Sequence, residues 1–122
     1  MTAYLDRIGD WESAGSLSKS ASRAICSWLT DAPYKEFRSD VESLINNEDL
    51  EELEDGFRVQ IAFGTGGIRG KMGAGPNRIN LRTIGEAAQG LAQYVLSAGG
   101  EGAASRGIAI AFDTRNNSDV YA

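Results

Sequence analysis

Six glycines and a proline fall within residues 64–76 of this 122-residue chain. Such a stretch cannot run as regular helix or strand throughout. Glycine gives up the most backbone entropy on ordering, and proline has no amide to donate. The stretch therefore marks a loop, and its flanks say what it joins. On its amino-terminal side Val59, Ile61 and Phe63 alternate with Arg58, Gln60 and Ala62, the pattern of a strand with one buried face. On its carboxyl-terminal side Asn80 can cap a helix whose stripe is Ile84, Ala88, Leu91 and Val95 and which Gly99-Gly100 stops. Residues 107–112 then form a short apolar run bounded by Gly107 and Asp113, which predicts a strand buried on both faces, as in a parallel sheet.

The first half is different. Residues 1–15 read as a loose or partly helical lead-in. Leu17, Ala21, Ala24, Ile25, Trp28 and Leu29 repeat at helical spacing, as do Tyr34, Phe37, Val41, Leu44 and Ile45 after Pro33. A short third helix is expected to start at Asn47, carry Leu50 and Leu53, and end at Gly56. The order is helices, strand, glycine loop, helix, strand. It fits the opening of an α/β layered domain, with a helical segment at 1–56 and an incomplete α/β domain at 57–122. The last residues, 117–122, resemble a helix in its first turn, which suggests truncation.

Charge separates the halves too. Residues 1–60 carry six basic and thirteen acidic side chains, and residues 61–122 carry six and four. Asp40 to Asp55 contains no Lys or Arg and reads as a solvated helical face, with an acidic docking surface as the alternative. An overall charge of −5 disfavours a nucleic-acid partner. No segment is apolar enough for a membrane span or a secretory leader, so the expected location is cytoplasmic. The Asn116-Asn117-Ser118 sequon reads as chance in that setting. Cys26 is the single cysteine, so no internal disulfide is possible, and it lies on an apolar stripe. There is no histidine. Ser-His-Asp and Cys-His catalysis and histidine metal sites are excluded within these residues.

Chemistry concentrates in the glycine loop. Glycines let backbone amides turn toward an anion, Thr65 adds a hydroxyl, and Arg69 adds a planar cation suited to phosphate oxygens. Lys71 adds a second positive charge. Generic nucleotide motifs do not fit. A dinucleotide fingerprint on Gly64 and Gly66 needs glycine where Arg69 stands. A P-loop ending in Gly70-Lys71 needs glycine at Thr65 and Ser or Thr at Met72. Spacing alone leaves two readings open, an anion-binding loop or a structural turn with arginine on the surface.

The residues themselves go further. Phe63-Gly64-Thr65-Gly66-Gly67-Ile68-Arg69-Gly70, followed by Met72-Gly73-Ala74-Gly75-Pro76-Asn77-Arg78-Ile79-Asn80, resembles the opening motif of the α-D-phosphohexomutase superfamily. The branch holding phosphoglucomutase-2, phosphopentomutase and glucose-1,6-bisphosphate synthase is the most similar. Trp28 to Phe57 resembles that branch's helical lead-in, and Gly107 to Ser118 its second strand and Asp-x-Arg turn.

The resemblance implies four domains around a cleft. A phosphoserine of the first domain donates phosphate to a sugar phosphate, the bisphosphosugar reorients, and the other phosphate returns to the serine. It implies Mg2+, held by an aspartate-rich loop of the second domain, and glucose 1,6-bisphosphate as cofactors. It also implies a phosphosugar substrate read by the third and fourth domains. Arg69 would contact the bisphosphosugar, with Thr65, Gly66 and Gly67 shaping the loop around it. The phosphoserine motif contains histidine and so lies beyond residue 122. No catalytic or metal-binding residue is then expected here, and the 122 residues alone are expected to be inactive. Ser118 reads as a helix N-cap or first-turn residue, Arg115 as structural or rim-forming, and Asp113 as a brace for its turn. An exposed strand at 107–112 would favour self-association. The alternative is a non-catalytic phosphate-binding or interaction module that ends near residue 122.

Overall fold

A computed structural model describes residues 1–100 and 102–122. It divides into two compact units, residues 1–80 and 81–122.

The first unit is built on helices. They are α1 (Thr2–Ser13), α2 (Lys19–Thr30), α3 (Arg38–Asn46) and α4 (Leu50–Phe57), with a 3₁₀ turn at Ala32–Phe37. The lead-in is thus a full helix. Tyr4, Leu5, Ile8 and Trp11 recur at three- and four-residue spacing and pack on or into the core, which outweighs the propensity cost of Gly9. Ser18 caps α2, its hydroxyl accepting the Ala21 amide at 3.2 Å, and the Ser18 amide donates to Glu54 of α4 at 2.8 Å. Asp49, not Asn47, caps α4 by accepting the Glu52 amide. Gly56 lies inside α4, which runs on to Phe57.

The helical stripes meet in one core of Ile8, Leu17, Ala21, Ile25, Trp28, Leu29, Val41, Ile45, Leu53 and Phe57. Trp28 is its hub. It stacks on Tyr34 with ring centroids 4.6 Å apart and meets Phe57 edge-on at 5.7 Å. Aromatic pairs in these geometries add to their area burial. Cys26 packs half-buried against this core, and burial raises its thiol pKa.

The expected strand from Val59 to Phe63 is reduced to its end. β1 (Phe63–Gly64) pairs antiparallel with β2 (Gly67–Ile68), in register Phe63↔Ile68 and Gly64↔Gly67. Upstream, the Ile61 amide donates to Pro76 O at 2.8 Å. Val59 and Phe63 are exposed, while Ile61 is half-buried. Alternation identifies which side chains could share a face, but a strand forms only where a neighbour satisfies its amides and carbonyls.

The second unit holds α5 (Leu81–Ala98), α6 (Ala103–Arg106) and α7 (Ser118–Tyr121). α5 forms as expected and stops before Gly99-Gly100. The expectation of a buried strand at 107–112 is corrected. Those residues form no strand, and Ile108, Ile110 and Phe112 are exposed. No strand among the described residues pairs with them, so the run lacks the ladder that would make it a strand.

Candidate functional site

The glycine loop opens as a tight hairpin. Thr65 and Gly66 form the two-residue connection between Gly64 and Gly67. Gly67 has φ +111°, a conformation that side chains rarely adopt. Thr65 and Gly66 are exposed, and Gly67 is half-buried. Arg69, one residue past the hairpin, is exposed, and its Nη2 lies 3.8 Å from the point where a Gly66 Cβ would begin. The structure thus brings Thr65, Gly66, Gly67 and Arg69 together at one tip. Among the described residues Arg69 makes no ion pair and no side-chain hydrogen bond. An exposed guanidinium beside glycine backbone has its donors available to an oxyanion.

Behind the tip, the loop is fastened. Gly70 packs against Ile61, whose Cδ1 would lie 2.9 Å from an added Cβ. The Ile79 amide donates to Lys71 O at 2.8 Å, and the Gly73 amide to Ile79 O at 3.3 Å. Asn80 is buried and its Nδ2 donates to Gly73 O at 2.8 Å and Gly75 O at 3.0 Å. Gly75 has φ +121° and approaches α4 so closely that a Cβ would sit 2.5 Å from Gly56 O. The Asn77 amide bonds that same carbonyl at 3.0 Å, and the Asn77 side chain donates to Asp55 O at 2.8 Å.

Arg78 is the centre of this base. Its side chain is 2% exposed. Nε donates to Glu52 Oε1 at 2.6 Å, Nη2 to Asp55 Oδ2 at 2.7 Å, and Nη1 to Asn77 O at 2.9 Å. Glu52 also receives Lys71 Nζ at 3.3 Å. The hydrogen bond from Arg78 holds the carboxyl groups of both Glu52 and Asp55 below their usual range. These two acids belong to the acidic run that reads in sequence as a solvated face. They are internal partners of the loop instead. The signal lies in a pairing twenty-odd residues apart, Glu52 and Asp55 with Arg78, which periodicity does not reveal.

Within the second unit, Asp113 braces its own turn. It accepts the Arg115 amide at 3.0 Å and Arg115 Nε at 2.8 Å, and its amide donates to Ser118 Oγ at 3.1 Å. The Arg115 hydrogen bonds hold the Asp113 carboxyl down at about 2. Ser118 begins α7 behind an N-cap at Asn117, a first-turn position. Among the described residues no group of three or more carboxylates, cysteines or histidines is arranged to hold a metal ion. No described helix is long and apolar enough to cross a membrane.

The family model for phosphoglucomutase/phosphomannomutase, alpha/beta/alpha domain I, matches residues 60–122, more than half of the chain. The chain belongs to that family. Its α/β class follows from the matched domain, although the structure is rich in helix and the one sheet among the described residues is the two-stranded hairpin. Family relatives extend the likeness upstream. A probable phosphoribomutase of Schizosaccharomyces pombe is 39% identical over 85 residues, 70% of this chain and 14% of the relative. A phosphoglucomutase of Staphylococcus epidermidis is 38% identical over 82 residues, 67% of this chain and 14% of the relative. A phosphoglucomutase of Staphylococcus aureus is 52% identical over 44 residues, 36% and 8% of the two chains. The chain thus spans about one seventh of the length of the first two of these relatives. No solved structure matches it.

Proposed function

We propose that this chain is part of a phosphosugar mutase, an isomerase of carbohydrate metabolism. It would interconvert a hexose or pentose 1-phosphate and the corresponding 6- or 5-phosphate through a phosphoserine and a bisphosphosugar. Residues 1–56 are then a helical lead-in and residues 57–122 part of domain I. The observation that carries this reading is the tip of the glycine loop, where Arg69 stands exposed beside Gly66, in a chain of the mutase family. Arg69 would bind a phosphate of the substrate or of the bisphosphosugar, and Thr65, Gly66 and Gly67 would shape the backbone around it. A fixed guanidinium serves such a reaction by stabilising charge on a transferring phosphoryl group.

The nucleophilic serine, the magnesium ligands and the sugar-reading residues are proposed to lie outside these 122 residues, and the protein to work in the cytoplasm. By themselves the 122 residues would then be inactive. The test is a coupled assay of the longest native product of the gene. It would use glucose 1-phosphate, magnesium and a trace of glucose 1,6-bisphosphate, with mannose and pentose phosphates in parallel. Turnover that Arg69→Ala cuts by about a hundredfold supports the reading. Absence of turnover with every sugar phosphate, or full activity in the variant, refutes it.

A further inference from the structure

We propose that Glu52 and Asp55 of α4 are positioning residues for the Arg69 loop, acting through Arg78 and, for Glu52, through Lys71 as well. This rests on reading the loop tip as a phosphate site.

The helical segment does more than precede the loop. Besides the Ile61 amide on Pro76 O, attachments of residues 71–80 outside the loop itself run to α4. The Gly56 carbonyl holds the Asn77 amide, the Asp55 carbonyl holds the Asn77 side chain, and the two carboxylates hold Arg78 and Lys71. Lys71 is two residues from Arg69. Its carbonyl accepts the Ile79 amide next to Arg78, so the ion pairs and the backbone bonds close on the same short segment. The tip beyond Gly70 has no comparable anchor among the described bonds besides its own hairpin. Where Arg69 points is therefore set at its base.

The chemistry of the base fits a geometric role better than a purely stabilising one. Removing a guanidinium from water is costly, and an apolar side chain of similar volume often gives equal or greater stability. What Arg78 supplies instead is direction. Its planar fork meets two carboxylates and a carbonyl at fixed angles. Small displacements of a phosphate-binding group cost affinity and rate steeply.

The experiment follows Arg69 itself in the longest native gene product. Arginine modification by phenylglyoxal is mapped to Arg69 by peptide mass as inorganic phosphate is raised, and urea unfolding is recorded alongside. The wild type is expected to show protection of Arg69 by phosphate. Glu52→Gln with Asp55→Asn should raise the half-protecting phosphate concentration about tenfold in protein that is still folded. Lys71→Met leaves the Arg78 pairs in place and should give a smaller rise, so it decides the matter where the double variant does not fold. Arg78→Lys, which keeps the charge but not the fork, should restore stability more than phosphate protection. Loss of stability with an unchanged half-protecting concentration would overturn the positioning role and leave the phosphate reading intact. Failure of phosphate to protect Arg69 in the wild type would overturn both.

Discussion

Arg78 and Glu52 lie on opposite sides of the glycine loop in sequence, yet Arg78 Nε sits 2.6 Å from Glu52 Oε1 with the arginine side chain only 2% exposed. The pair joins the helical segment to the base of the loop. Replacing Arg78 with Met leaves Glu52 with Lys71 alone and takes from Asp55 its ion-pair partner. Because Glu52 and Asp55 keep 27% and 54% of their side-chain exposure, water softens the loss. The expected cost is about 2 kcal/mol, read from the urea midpoint of the tryptophan fluorescence transition. A shift under a quarter of that would count against a joint at this place.

Acid should weaken the same joint. The folded-state pKa values of Glu52 and Asp55 are depressed below 4.5 and 3.8. Their contribution is therefore complete above those values and is lost as pH falls through the lower folded-state ones. Stability of the first unit should decline from about pH 5 downward. In Glu52→Gln with Asp55→Asn the decline should be shallower. Equal acid slopes in the two proteins would contradict this.

Two glycines should respond to alanine with opposite signs. At Gly75, φ is +121° and the new Cβ would lie 2.5 Å from Gly56 O. Gly75→Ala must move backbone, at about 2–4 kcal/mol. At Gly9, inside α1, nothing lies within 4 Å of an added Cβ. Gly9→Ala should gain about 0.5–1 kcal/mol through helix propensity. Thermal unfolding of both variants decides, and a stable Gly75→Ala would remove the close approach of loop and α4.

The exposed apolar run offers a fourth test. Leu29 is fully buried, so Leu29→Ala should cost about 3 kcal/mol. Ile110 is exposed, and Ile110→Ser should stay within about 0.5 kcal/mol of the wild type in this chain. A loss near that of Leu29→Ala would place Ile110 in a packed strand after all.

Much of the first unit was legible from the residues. Helical spacing located α2 and the apolar stripe of α3, although the α4 cap is Asp49 and not the expected Asn47. Those features are local, and their physics acts over one or two turns. Density of glycine likewise marked residues 64–76 as a loop, and Thr65 to Arg69 as its chemical part. The strands were not legible to the same degree. Val59 to Phe63 and 107–112 carry strand-like patterns, but a pattern supplies side-chain faces, not hydrogen-bond partners. Only Phe63–Gly64 found one, in β2.

Sequence by itself thus located the helices α2, α3 and α5 and the glycine-rich turn, and its motif pointed to the mutase family. Tertiary structure decided what holds that loop. The acids of α4 look in sequence like a solvated face because their partner, Arg78, lies more than twenty residues away. Only folding brings those charges within 3 Å of one another. An ion pair is a property of distance in space, and spacing along the chain does not contain it.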